Sequence, residues 1–198
     1  MDTRCGLLHL AAILVTVTAS CKPLQNVEKI EPAEQKKWFI SEKKNVLETN
    51  FGKCEFRDQL NTALFIYKCD FERGYPVYIT INRPGFCKWL ARFNVDCIDK
   101  LQKYTLGDIG ELDSKVKEWI TTGLRSRNAF DSEFYFYLPE NVYILGYRDT
   151  PSTSAYSANN PEEYELLIAT PEISYYLSGI KSKSDLKYIM QHLDYSRI

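Results

Sequence analysis

Imidazole is scarce in this chain. Of 2 histidines, His9 lies inside an N-terminal apolar run, which leaves His192 beside the apolar positions of the last predicted helix. A histidine-based zinc site is thereby excluded, and a Ser-His-Asp triad would have to be built on His192, with no G-x-S-x-G to accompany it. His192 is expected to sit at a helix end against the dipole. Neither G-x-G-x-x-G nor G-x-x-x-x-G-K-[ST] occurs, so the recognisable phosphate cradles are missing. Charge of one sign is missing as well. Lys plus Arg is 25 and Asp plus Glu is 26, for a net charge of -1, which leaves no excess to hold a nucleic-acid backbone. With 9 Gly and 8 Pro in 198 residues and 44% hydrophobic residues, collagen-like and disordered classes are excluded. No asparagine opens an N-x-[ST] sequon, so N-glycosylation does not enter the argument.

Long apolar runs are confined to the N-terminus. Arg4 precedes an apolar run from Gly6 to Val17 that ends in small residues, the layout of a signal peptide. The run falls short of the roughly 20 apolar residues that cross a bilayer. The string Thr18-Ala19-Ser20-Cys21 then resembles the lipobox of bacterial lipoproteins, in which small residues precede a cysteine that becomes the lipidated first residue of the mature chain. Thr18 stands where that family usually has Leu or another large aliphatic. The resemblance covers these residues alone; it implies acylation of Cys21, by palmitate or similar chains, and a membrane partner reached through the anchor. A single acyl chain binds only marginally, so stable anchoring requires several. The same residues also fit ordinary secretory cleavage after Ala19 or Ser20, giving a soluble secreted or periplasmic protein. Residues 22–35 are polar, contain Pro23 and Pro32, and show no apolar period, as a tether would. The expected organisation is a signal peptide over 1–20, a tether over 21–35 and one globular domain over 36–198.

Six cysteines are present. Cys5 leaves with the signal and Cys21 is the lipidation candidate, so Cys54, Cys69, Cys87 and Cys97 remain. An even number in an exported chain implies two disulfides. Three connectivities are open, of which the local one, Cys54 with Cys69 and Cys87 with Cys97, closes the shortest loops. Each bridge contributes on the order of 3 kcal/mol. The spacings contain no C-x-x-C and no nearby histidine, so no metal is expected.

Along the chain, Trp38, Phe39, Ile40, Val46 and Leu47 form a loose apolar stripe that predicts a helix over 33–49. Alternation at Ala63, Phe65 and Tyr67 and at Val77, Ile79 and Ile81 predicts two strands joined as a hairpin through residues 70–74, with a shorter strand near 54–57. Arg83-Pro84-Gly85 breaks the pattern, and 86–93 and 95–104 suit two short helical pieces. Leu112, Val116, Trp119, Ile120 and Leu124 predict a clearer helix. Residues 132–147 predict a second hairpin around Pro139-Glu140-Asn141, apolar on both faces and so central in its sheet. A strand over 164–169 and a helix over 184–193, with Leu186, Ile189, Met190 and Leu193 on one face, close the chain. The expected class is α+β: a mainly antiparallel sheet of two hairpins with flanking helices, stapled by disulfides.

For chemistry, carboxylates are the remaining route to an enzyme, since two acids can cleave a glycosidic bond without histidine. Asp70 and Glu72, and Asp131 and Glu133, are the candidates, and nothing in their spacing separates them from solvated turn acids. For binding, ten of the 14 tyrosines lie between Tyr135 and Tyr195. Tyrosine serves interfaces, although it also packs strands. Tyr143 and Tyr147 share one strand face, and Tyr156 sits in a long polar loop over 148–163, where a recognition surface would form. The function expected is thus an exported, lipid-anchored envelope protein acting as a binding or structural module. Its partners would be the membrane and a protein or glycan; no nucleic acid, cofactor or catalytic residue is assigned.

Overall fold

The computed structural model describes residues 27–44, 46–61, 64–83, 97–105, 134–137, 139, 141–149 and 163–198. The two predicted hairpins organise the main sheet. β5 (Leu64–Phe71) and β6 (Tyr75–Asn82) pair antiparallel without a slip over eight residues. Their turn closes where the Gly74 N–H donates to the Phe71 carbonyl at 2.9 Å, and Gly74 takes a φ of +85° that a side chain would resist. β7 (Phe134–Tyr137) and β8 (Tyr143–Asp149) form the second pair. β9 (Glu163–Ala169) and β10 (Ser174–Ile180) bridge β8 to β6. β4 (Cys54–Asn61) lies outside β5 at one edge, and β1 (Val27–Lys29) adds parallel to β7 at the other. The sheet thus has eight strands in the order β1-β7-β8-β9-β10-β6-β5-β4, while β2 (Ile40–Lys43) and β3 (Val46–Thr49) form a separate ribbon.

Register assigns each side chain to a face. Ile144, Ile168, Tyr175, Ile81 and Phe65 line up across one face, with Leu166, Leu177, Ile79 and Tyr67 in a neighbouring row. Helix α2 (Lys183–His192) lies over this face and buries Leu186, Ile189 and Met190 against it. Ser182 caps the helix by accepting from the Asp185 N–H at 3.1 Å. The helix seats close to the sheet because β8 has a glycine beneath it: a Cβ at Gly146 would lie 2.7 Å from Met190 Sδ. The opposite face of β8 and β9 is buried too, through Tyr143, Leu145, Leu167 and Ala169. Helix α1 (Cys97–Thr105) packs against β8 and buries Cys97, Ile98 and Leu101.

These elements correct the expected α+β class. Among the described residues the fold is mostly β, an eight-stranded mixed sheet plus a two-stranded ribbon, with α1 and α2 of 9 and 10 residues. Three segments account for the difference. The helix predicted over 33–49 is an extended arm followed by the β2–β3 hairpin, which turns at Lys44 with φ 52°. Trp38 and Ile40, both buried, are two apart, a strand period that the looser apolar stripe concealed. β10 has the composition of a strand, but Gly179, with φ +81° at a register shift, interrupts its pattern. β1 is three residues long and polar, and its parallel pairing with distant β7 makes the sheet mixed; pairing therefore starts inside the stretch read as a tether. The helix predicted over 112–124, the piece over 86–93 and the loop over 150–162 lie outside the described residues.

Candidate functional site

A cleft of about 470 Å³ opens where the arm before β2, the end of β3 and the β5–β6 turn converge. Side-chain hydrogen bonds shape its walls. Asn50 Oδ1 accepts from the Phe39 N–H at 2.8 Å while Asn50 Nδ2 donates to the Lys37 carbonyl at 3.0 Å, so one side chain holds the arm at two points. Thr49 Oγ1 donates to the Phe39 carbonyl at 2.5 Å and accepts from the Phe51 N–H at 3.0 Å. Across the cleft, Gly52 presses its backbone against the Asp70 carbonyl, and the Asp70 N–H donates to the Lys53 carbonyl at 3.0 Å.

The floor is aromatic. Phe51 and Phe71 stack with centroids 5.2 Å apart and planes 8° from parallel, and Trp38 tilts against both at 5.3 and 5.9 Å. The arm is locked to the end of α2 through the tryptophan backbone: its N–H donates to the His192 carbonyl at 3.2 Å, and its carbonyl accepts from Asp194 at 2.7 Å. Tyr188 of α2 meets the Trp38 ring edge-on at 5.3 Å.

A charge pair stands at the mouth. Lys37 Nζ donates to Glu72 Oε2 at 2.5 Å and to the Tyr188 hydroxyl at 3.3 Å, and lies 5.0 Å from the Trp38 ring centroid. The Glu72 hydrogen bond, followed by Tyr188 and the charge of Glu72, outweighs desolvation and holds the ammonium above the usual lysine range. Next to it, Arg73 Nε approaches Asp185 at 3.5 Å and its guanidinium covers Tyr188 at 5.2 Å, while the Tyr75 hydroxyl donates to Asp185 at 2.8 Å. The arrangement suits binding by exchange. A ligand carboxylate can take the place of Glu72 on Lys37, or a ligand cation the place of Lys37 on Glu72, over aromatic rings that stay in position.

Of the acids singled out in the sequence, Asp70 and Glu72 both line this cleft. They do so differently: Glu72 is ion-paired with Lys37, whereas the Asp70 backbone abuts Gly52. Asp131 and Glu133 lie outside the described residues, as do Tyr156, Cys21 and Cys87. Tyr143 and Tyr147 are 0% and 1% exposed, on the face of β8 away from α2, and the Tyr147 hydroxyl donates to Glu165. Both rings belong to the interior, because that face of the sheet is covered as well. Cys54 and Cys69 form the expected local disulfide, and Cys97 is also disulfide-bonded. His192 closes α2, its Nδ1 2.9 Å from the Tyr188 carbonyl. No group of three or more potential metal ligands occurs among the described residues. Lys37, Phe51 and Gly52 escaped the sequence reading, and Trp38 entered it only as part of the apolar stripe. Asn50-Phe51-Gly52 directly follows the stretch predicted as a helix, and nothing local ties it to a turn twenty residues on. No family model, curated protein or solved structure matches the chain.

Three phenols make the molecule sensitive to alkali. Burial, and next the bond to Asp185, pushes Tyr75 well above the usual phenol range. Burial pushes Tyr175 up to about 12 against the opposing charge of Arg83. Tyr195, buried and donating to the Met190 carbonyl at 2.9 Å, is pushed higher still. In the unfolded chain these groups ionise near the ordinary phenol value of 10.0. Above that pH the unfolded state binds fewer protons than the native state. The stability these phenols contribute is therefore fully present below pH 10 and is lost as pH rises toward 12, by about 1.4 kcal/mol per pH unit per affected phenol. Urea midpoints measured across this range are expected to drop steeply, with phenolate absorbance from these residues appearing only as the chain unfolds. A flat profile would contradict the burial of these rings.

Proposed function

We propose that this chain is an exported, lipid-anchored module of a cell envelope that binds or scaffolds a protein or glycan partner. The observation that carries the reading is Cys21 placed directly after a short apolar run and small residues. The start of β1 at Val27 gives it geometric sense. Only residues 22–26 separate Cys21 from the sheet. At about 3.5 Å per residue they reach roughly 18 Å, so the anchor would hold the β1–β7 edge next to the bilayer surface. No helix among the described residues is long and apolar enough to span a membrane. The cleft over Trp38 supports the binding half of the reading, as a concave site with an aromatic floor and a few convergent polar groups.

The test is fractionation of cells expressing the full chain. The wild type is expected in the membrane fraction, with a mature mass that starts at Cys21 and carries acyl groups. Cys21→Ala is expected in the soluble exported fraction. If wild type and variant both pellet with membranes, or both are soluble and unmodified, the anchor is lost, and in the second case the chain is a soluble secreted protein.

A further inference from the structure

β4 is held to β5 by its backbone ladder, and its side chains add little. Every side chain from Glu55 to Leu60 is exposed, with Phe56 at 54% and Leu60 at 63%. Its register against β5 slips twice, between Phe56 and Asp58 and again between Gln59 and Asn61. Its ion pairs, Lys53–Glu55 at 3.5 Å and Glu55–Arg57 at 3.7 Å, run along the strand rather than across to β5. The Phe56 ring rests edge-on against Tyr67 at 5.6 Å. Bulges and charges of this kind make an edge a poor template for another strand. They also leave β4 with little buried apolar surface to hold it in place.

β5, the strand underneath, is the opposite. Its ladder with β6 is regular throughout, and Phe65, Tyr67, Cys69 and Phe71 are buried. The covalent tie between the two strands is the Cys54–Cys69 disulfide, whose residues stand directly opposite each other at the start of β4. Cys69 is fully buried and Cys54 partly so. The bond spans a sequence separation of 15 and so closes the β4–β5 hairpin alone. It does not cross-link the six other strands of the sheet.

We propose that this disulfide is a reducible clamp: its reduction releases β4 and bares the regular edge of β5, while the rest of the sheet stays folded. The reductant is a dithiol, supplied in the cell by a dithiol-disulfide oxidoreductase. Its thiolate attacks Cys54 Sγ, the sulfur nearer solvent, and the sulfur–sulfur bond breaks with Cys69 leaving as a thiolate that takes a proton. The second thiol of the reductant then resolves the mixed disulfide and releases Cys54 as a thiol. Two electrons and two protons pass to the protein, and the reductant ends as a disulfide.

Hydrogen exchange of the full folded chain, with and without dithiothreitol, tests this. A Cys54→Ser/Cys69→Ser variant separates the clamp from the disulfide at Cys97, and thiol labelling of Cys54 and Cys69 reports the bond itself. On reduction, amides of 54–61 and those of β5 facing them are expected to exchange at least about tenfold faster, with β8, β9 and β10 keeping their protection. The variant is expected to match the reduced wild type. The proposal fails if Cys54 and Cys69 resist labelling in the folded protein, if β4 keeps its protection once they are labelled, or if the whole sheet loses protection together. Should that variant not fold, Cys97→Ser, which removes the second disulfide and keeps the Cys54–Cys69 bond, carries the reduction experiment in its place.

Discussion

Gly52→Ala is expected to destabilise the protein by about 4 kcal/mol, near the upper end for a single substitution. A Cβ built at this position would lie 1.8 Å from the Asp70 carbonyl oxygen and 3.0 Å from its carbon. Both partners are backbone, so no rotamer change relieves the clash. The glycine also has a φ of +154°, which L residues rarely adopt. Relief requires the β3–β4 connection to move away from the β5–β6 turn. That movement would break the hydrogen bond from the Asp70 N–H to Lys53 and open one wall of the cleft. It would also pull on Cys54, two residues on. Gly146 is the useful contrast, since there the nearest atoms, Met190 Sδ and the Leu186 methyls, belong to side chains rather than to backbone. Urea unfolding of both variants measures the difference. A loss below about 1 kcal/mol for Gly52→Ala would show that the close approach is not a feature of the native state.

Trp38→Ala is expected to cost about 3–5 kcal/mol. The ring is 4% exposed and touches Phe51, Phe71 and Tyr188, so truncation leaves a large cavity among side chains drawn from three separate stretches of chain. Its loss also removes the surface over which Lys37 stands. The backbone bonds from residue 38 to His192 and Asp194 do not need the indole, but without it little apolar surface presses the arm onto the end of α2. Trp38→Phe should recover much of the loss, because an aromatic ring still fills most of the site. The check is the unfolding free energy of both variants, together with proteolysis at 31–37. If Trp38→Ala unfolds within about 1 kcal/mol of the wild type, the arm is not part of the cooperative unit.

What could be read from the sequence alone was local. The β5–β6 and β7–β8 hairpins were legible because a period-two pattern on each side of a turn names both partners at once. α2 was legible from Leu186, Ile189 and Met190, and the Cys54–Cys69 bond from the short loop between them. The parts decided by tertiary structure are those whose partners lie far away in the chain. The arm around Trp38 is extended because its N–H donates to His192 and its carbonyl accepts from Asp194, more than 150 positions on. β1 is a strand because β7 offers it an edge. Tyr143 and Tyr147 illustrate the same limit: alternation places them on one face of β8 but does not say whether that face is covered. In the cleft, Asp70 and Glu72 were visible as acids, yet their setting comes from Lys37, Trp38 and Gly52. Sequence pattern reports which side chains share a strand or helix face. Which faces meet, and which residues meet at their edges, depends on packing between distant segments that no local period records.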